Sequence, residues 1–280
     1  MFYLLKCFIQ MKILLNNNDL NEALYGVSNL GFVPTMGCLH NGHISLIKKS
    51  LKKCNKTLVS IFVNPTQFNN KRDFRNYPRN NNKDLSILKK LKVDFVYLPR
   101  KKHVYSSERK SKIKLDIKDK ILCAKYRKGH FEGVIDVVGR LIEIIEPKRI
   151  FMGEKDFQQL YLVRKYISNN YKTQIVASKT VRNKNKLALS SRNSLLNIDE
   201  LTKAEKFSKS LVLLKKKLLK NNNINTVLAN KKKELSSLFG IQIDYLELRN
   251  IYNLKKSNKI KNSKLFVAYH INKVRLIDNF

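Results

Sequence analysis

Up to about residue 180 the chain alternates short apolar, β-branched runs with helical periodicities, and few folds satisfy such an alternation. TLVSIFV (57–63), VDFVYLP (93–99), RIFMG (149–153) and TQIVAS (173–178) have the length and composition of buried parallel strands. Between them, Ile44, Ile47 and Leu51 share one helical face, and Leu160, Val163 and Ile167 share another. GVIDVVGRLIEIIEP is apolar nearly all round, which predicts a buried helix stopped at Pro147. Strands that alternate with helices build an open parallel sheet with right-handed crossovers and helices on both faces. The chain has 280 residues, 43% of them hydrophobic, enough for one large or two modest cores.

After about residue 185 the pattern changes. A lysine-rich amphipathic helix follows Asp199, turning Leu201, Ala204, Leu211 and Leu214 inward, and a second runs from Thr226 to Leu238 with Gly240 as its stop. Three strand patterns follow: IDYLEL, LFVAYHI and VRLID. The expected organisation is therefore an extension at 1–10, an α/β domain at 11–185 and a small α+β domain at 186–280. The opening MFYLLKCFIQMKILL is apolar but lacks a basic n-region and a cleavage site, and lysines interrupt it. An upstream start codon ahead of Met11 accounts for it better than a targeting segment. No stretch approaches transmembrane length, so a cytoplasmic protein with no membrane partner is expected. Cys7, Cys38, Cys54 and Cys123 form no CxxC or metal-ligand spacing, which suits free thiols in a reducing compartment.

The formal charge of +36 invites a nucleic-acid reading. Against it, the lysines spread along the whole chain beside asparagine runs such as Asn16-Asn17-Asn18 and Asn80-Asn81-Asn82. Joint enrichment in Lys, Asn and Ile is what AT-rich coding produces. Clustered cations interleaved with stacking aromatics, which a nucleic-acid binder needs, are missing from the pattern. Such a surface draws in anionic small molecules and binds RNA only nonspecifically.

The segment VPTMGCLHNGH (33–43) sits where a strand hands over to a helix. A helix N-terminus offers unpaired N–H groups and partial positive charge, which suit a phosphate. Gly37 and Gly42 would let backbone approach that phosphate closely. His40 and His43 can each aim an N–H at phosphate oxygens and stabilise charge that grows as pyrophosphate leaves. A bare HxxH is more often two loop residues or two metal ligands; the turn, the glycine and the helix around it favour the phosphate. LALSSRN (187–193) supplies Ser190, Ser191 and Arg192 as a clamp for β- and γ-phosphates, although SSR alone would pass for a linker. In GEKDFQQL (153–160), Lys155 can reach phosphates, Asp156 can accept from a ribose or assist a metal or simply cap a helix, and Gln158 or Gln159 can bind a substrate oxygen. Gln67 in NPTQF (64–68) lies at a carboxyl strand end, where a polar side chain orients a small substrate.

HxGH in this setting is the signature of the nucleotidylyltransferase-type Rossmann-like fold. Together with SIFVNPTQF, the Tyr77-Pro78-Arg79 tripeptide, GHFEGV (129–134), FMGEKDFQQL and LALSSRN, it makes the chain from about Met11 onward resemble the pantoate–β-alanine ligases. Other HxGH adenylyltransferases have no reason to carry NPTQF and GEKDFQQL together. The resemblance implies an ATP-dependent, two-step ligation: pantoate and ATP give a pantoyl-adenylate and pyrophosphate, and β-alanine then displaces AMP to form pantothenate. It places ATP on Met36, Gly37, Cys38, Leu39, His40, Asn41, Gly42 and His43, on Gly153, Glu154, Lys155 and Asp156, and on Val181, Leu189, Ser190, Ser191 and Arg192. His43 is the implied proton donor, with His40, Lys155, Ser190 and Arg192 as further catalytic residues. Gln67, Gln159 and Arg127 would contact pantoate or β-alanine. Mg²⁺ would accompany the ATP phosphates, with no dedicated protein metal site. The small C-terminal domain would act as a lid that keeps water off the adenylate, and the enzyme would be a homodimer. Two departures stand in VRNKNKLALSSRN: Asn183 replaces the usual acidic residue, and Lys186 the usual glycine.

Overall fold

The protein, in a computed structural model, is described over residues 10–105, 111, 113–218 and 223–280. The expected extension at 1–10 therefore lies, but for residue 10, outside the described residues, as does Cys7. In chain order the first half comprises β1 (Lys12–Leu14), α1 (Asn17–Leu24), β2 (Leu30–Thr35), α2 (Asn41–Lys53), β3 (Lys56–Ile61), α3 (Lys71–Arg75), α4 (Asn81–Lys90) and β4 (Phe95–Tyr97). The short helices α5 (Lys101–Val104) and α6 (Cys123–Tyr126) precede α7 (His130–Ile145), β5 (Arg149–Gly153), α8 (Phe157–Ile167) and β6 (Gln174–Ser178). Then come α9 (Ile198–Leu218), α10 (Ile224–Phe239), β7 (Gln242–Asn250), β8 (Ser263–Ile271) and β9 (Val274–Asn279).

The first six strands form one parallel sheet in the order β1-β4-β3-β2-β5-β6. Successive side chains of a strand point to opposite faces, and here each face fills its own core. Phe32, Leu58, Tyr97, Ile150 and Met152 pack with α1, α7 and α8; Val33, Val59, Val96 and Phe151 pack with α2 and α4. Helices therefore cover both faces, as the strand–helix alternation predicts. α7 is buried on nearly every side and ends at Glu146, directly before Pro147.

Two boundaries differ from the sequence reading. The edge strand β1 and helix α1 were not foreseen, because three residues of strand inside an apolar leader carry no period of their own. β6 is the opposite edge and only partly buried. In α2 the buried face is Leu46, Ile47 and Ser50, with Ile44 and Leu51 half-buried.

Strand order reverses between β2 and β5. Those strands pair only at Gly31–Arg149 and Phe32–Ile150 and part beyond, so a crevice opens at their carboxyl ends. That switch point is where an open α/β sheet binds ligands.

The remaining strands form an antiparallel sheet, β7-β8-β9. One face carries Ile243, Leu246, Leu248, Leu265, Val267 and Tyr269 against α9 and α10. The other face sends Tyr245, Phe266 and Ala268 into the core under α7 and α8. α10 begins two residues before the expected start and stops at Gly240, whose φ of +55° only glycine adopts freely.

Candidate active site

The turn after β2 is tied down from below. Thr35 Oγ1 donates to the Ser60 carbonyl at 2.7 Å and accepts from Gly37 N–H at 3.2 Å. Cys38 and Leu39 N–H groups donate to the two carboxylate oxygens of Asp84 at 2.7 and 2.8 Å, and Asp84 is 1% exposed. These three amides are spent within the protein, so any contact of Gly37, Cys38 and Leu39 with a nucleotide would be made by other atoms. Gly37 is required by its φ of +79° and by Asp84, whose Oδ2 would lie 2.9 Å from an added Cβ.

His40 caps α2: its Nδ1 accepts from Gly42 N–H at 3.1 Å, while its own N–H donates to His43 Nδ1 at 3.3 Å. A Cβ on Gly42 would meet the His40 ring at 2.7 Å, so the glycine makes room for that side chain. The rings lie 4.1 Å apart. Burial, then the neighbouring Lys155, lowers the His40 pKa to about 4; burial, then His40 and Lys155, lowers that of His43 to about 3. Both rings are neutral at pH 7. With Nδ1 accepting, each carries its proton on Nε2, the nitrogen left for a ligand.

The opposite wall starts at Asn64. Pro65–Gln67 form a single helical turn capped by Asn64, and α7 seats against it because Gly133 has no side chain; a Cβ there would stand 2.5 Å from the Thr66 carbonyl oxygen. Asn64, 1% exposed, bridges Tyr105 and the Gly133 carbonyl. His130 Nδ1–H donates to the Gln67 carbonyl at 2.7 Å and its Nε2 accepts from Arg127 Nη1 at 2.8 Å, a tautomer consistent with a pKa lowered to about 3 by burial and by Arg127. Arg127, whose pKa falls to about 10 through burial and the nearby Arg192, stays cationic at pH 7. Gln67 is buried with its amide against Met36 Sδ.

β5 delivers the third wall. Lys155 Nζ lies 3.6 Å from Asp156 Oδ1. Asp156 stands at the head of α8 without making a side-chain cap, which leaves its carboxylate to the cleft. Of the two glutamines, Gln158 has its amide spent within the protein, accepting from Cys123 N–H and donating to the Ile121 carbonyl, and reaches only one part of the cleft; Gln159 borders both parts. Glu154 turns away to Lys264, 3.3 Å distant.

The fourth wall is the SSR loop. Ser191 Oγ donates to the Cys38 carbonyl at 3.1 Å and thereby ties this loop to the HxGH turn. Ser190 Oγ only accepts, from Arg192 N–H at 3.3 Å, and its proton is left for a ligand. Arg192 pairs with Asp73 at 3.0 Å.

These walls enclose two adjoining lobes. A lobe of about 240 Å³ is bordered by Met36, His40, Gly42, His43, Gly153, Val181, Leu189 and Ser191, with Gln67 alongside. A lobe of about 590 Å³ extends toward β8 and β9. Arg127, His130, Lys155, Asp156, Gln159, Ser190 and Arg192 border both. Among residues predicted for the site, Gly37, Cys38, Leu39, Asn41 and Glu154 border neither. The sequence reading missed Asp84, Asn64 and Asn279, whose Nδ2 donates to the carbonyls of Glu154 and Lys155 at 2.8 Å each. None sits in a motif with a recognisable spacing; only the turn-forming Asn-Pro of NPTQF flags Asn64.

Among the described residues no group of three or more His, Cys, Asp and Glu is placed to hold a metal ion. Mg²⁺ needs no such cage, since one carboxylate with substrate phosphates suffices. Asp156, 46% exposed beside Lys155, fits that requirement.

A parallel α/β sheet with an HxGH strand-to-helix turn at its switch point, facing a basic cleft, defines an enzyme of the Rossmann-like nucleotide-using class. Within that class the chain belongs to the pantoate–β-alanine ligase family, whose family model matches residues 12–280. It is 41% identical over 267 residues to the pantothenate synthetase of Flavobacterium psychrophilum, covering 93% of this chain and 94% of that one. With the pantothenate synthetase of Thermosipho africanus it shares 37% over 260 residues, 92% and 94% of the two chains. The crystal structure of pantothenate synthetase from Thermus thermophilus superposes with a TM-score of 0.86 at 29% identity, over 96% of this chain and 99% of that one. The Francisella tularensis pantoate–β-alanine ligase, complexed with β,γ-ATP and β-alanine, gives 0.83 at 36% identity over 96% and 97%.

Proposed function

We propose that the chain catalyses ATP-dependent condensation of (R)-pantoate with β-alanine through a pantoyl-adenylate. The observation that carries this is the convergence of two neutral Nε2–H histidines, Lys155, Ser190 and Arg192 on a lobe shared with Gln67, Gln159 and Arg127. A carboxylate does not acylate an amine at pH 7, and conversion to a mixed anhydride with AMP supplies a leaving group. A pantoate carboxylate oxygen attacks the α-phosphorus, and the bond to pyrophosphate breaks. His43 and His40 donate Nε2–H to oxygens that gain charge, while Lys155, Ser190 and Arg192 hold the departing phosphates. Arg127, fixed by His130, holds the pantoate carboxylate end, with Gln67 and Gln159 on its polar groups. The β-alanine amine then attacks the acyl carbon, AMP leaves, and the nitrogen gives up a proton. Mg²⁺, held by Asp156 and the phosphates, neutralises phosphate charge when bound.

In this reading residues 11–185 hold ATP and pantoate, and 186–280 close over them as a lid that excludes water. Family resemblance supports a homodimer, and the unpaired Cys38, Cys54 and Cys123 suit a reducing cytoplasm. Light scattering of the purified chain tests the first of these.

The decisive assay is pyrophosphate release with ATP, Mg²⁺ and pantoate, run with and without β-alanine. Expected are pyrophosphate with pantoate, then AMP and pantothenate only once β-alanine is added. His43→Ala is expected to slow pyrophosphate release by about 10²–10³-fold. Release with another acid but not pantoate would overturn the substrate assignment.

A further inference from the structure

A third cavity, of about 500 Å³, opens between α9, the segment that follows β6, and the strands β8 and β9. None of His40, His43, Lys155, Ser190 and Arg192 borders it, although it shares Lys179 and Thr180 with the smaller lobe. Five cations do: Lys179 and Arg182 from the segment after β6, Lys215 and Lys216 from α9, and Lys264 from β8. The bordering acidic side chain is Glu154. Arg182 is spent on Asp278 and lies over the Phe280 ring at 4.3 Å, while Lys264 reaches Glu154 at 3.3 Å. The main-chain oxygen of Phe280 is taken by Leu265 N–H at 3.1 Å. Lys179, Lys215 and Lys216 have no hydrogen bond or ion pair among the described residues.

Lysines scattered over open surface are separately hydrated and screened, and in so basic a chain they mean little. These converge on one hollow from three parts of the fold. Lys215 is half-buried, and burial, then Lys264 and Arg182, lowers its pKa. Crowded, partly desolvated ammonium groups repel one another, and a bound anion offsets both costs. A phosphate group brings a charge of about −1.5 to −2 at pH 7, so two linked phosphates match the unpaired lysines where one carboxylate does not. Lysines suit such a ligand as flexible point charges. The cavity also abuts the turn that carries Lys155. Glu154 faces Lys264, and Asn279, which borders the cavity, holds the carbonyls of Glu154 and Lys155.

We propose that this cavity is a second anion site, distinct from the cleft, which takes a small molecule bearing a diphosphate on Lys179, Lys215 and Lys216. The site stands on its own lining residues and does not require the ligase reading. A nucleic-acid strand fits it less well, since such a strand needs stacking aromatics along a track, and the bordering Phe280 ring already faces Arg182.

The test is calorimetric titration of the full chain with inorganic pyrophosphate, free of metal and at about 0.15 M salt, where diffuse attraction is screened. The wild type is expected to take up one more pyrophosphate per chain than Lys215→Gln/Lys216→Gln, in which this site is weakened by roughly 10-fold or more. Lys155→Gln should do the reverse, weakening the cleft and leaving this site intact. Lys89→Gln/Lys90→Gln, which removes two exposed charges from the last turn of α4, should leave both sites unchanged. Lys216→Glu, at an exposed position, repeats the measurement should the α9 pair fail to fold. Equal loss in the α9 and α4 pairs would assign the binding to net charge and overturn the proposal. So would a single bound pyrophosphate that Lys155→Gln abolishes. A single pyrophosphate that Lys155→Gln keeps and the α9 pair loses would support this site and count against the phosphate role of the cleft instead.

Discussion

Lys186 sits at φ +71°, in the left-handed region, inside a turn where its N–H donates to the Asn183 carbonyl and its own carbonyl accepts from Arg182. That angle suits the glycine the family resemblance leads one to expect there, and this chain carries a β-carbon instead. Lys186→Gly should stabilise the protein by about 0.5–1 kcal/mol, the left-handed penalty less glycine's extra entropy, visible as a higher melting temperature. Asn183, where the family resemblance leads one to expect an acid, still holds the turn together. Its Oδ1 accepts from Asn185 and Leu187 N–H at 3.0 and 3.1 Å, and Glu205 supplies the missing carboxylate across the loop. The histidines give a second residue-scale expectation. His40, His43 and His130 have folded pKa values of about 4, 3 and 3, below the ordinary 6.5. Between pH 6.5 and about 4 the unfolded chain therefore binds more protons, so stability is full above pH 6.5 and falls as pH drops. Urea midpoints of the free enzyme should decline from pH 7 to pH 5, and His43→Gln should decline less steeply.

Two helices shape the site from behind through residues outside the cleft. α4 contributes Asp84, which fixes the shape of the HxGH turn from beneath. Asp84→Ala would strand two amides; a loss of about 2–4 kcal/mol in chemical denaturation is expected, together with slower adenylate formation. α7 contributes Gly133, and Gly133→Ala should push the helix off the Pro65–Gln67 turn and break the alignment of His130 with Gln67. The elements themselves were legible because strands and helices impose periods of 2 and 3.6 on buried positions, and α7 declared itself by being apolar nearly all round. β1 was not, since its burial comes from pairing with β4, 83 residues away at Lys12–Phe95. In the site, His40, His43, Lys155, Ser190 and Arg192 could be picked out by motif, and the fold brings them to one cleft. Asp84, Asn64 and Asn279 were not, because a carboxylate that holds amides and an amide that holds carbonyls have no signature until the fold brings both ends together.

At the scale of the molecule, the antiparallel sheet is more than a separate unit. Its Tyr245, Phe266 and Ala268 complete the core under α7 and α8, and Arg182 grips Asp278 with two hydrogen bonds at 2.6 and 2.8 Å. The domain boundary at 185/186 marks a change in sequence pattern, whereas the packing runs across it. A fragment of residues 11–185 is therefore expected to bind a hydrophobic dye and to melt without a cooperative transition; a sharp melt would show an independent unit.

Asn279 holds the Glu154–Asp156 turn from a position 124 residues beyond Lys155. Synthesis runs in one direction, so a nascent chain presents HxGH, Lys155 and Arg192 long before the strand that braces them emerges from the ribosome. Competence arrives late and all together. A message broken ahead of codon 279 would thus yield a chain with every recognisable motif and an unbraced Glu154–Asp156 turn, a product that motif inspection would pass.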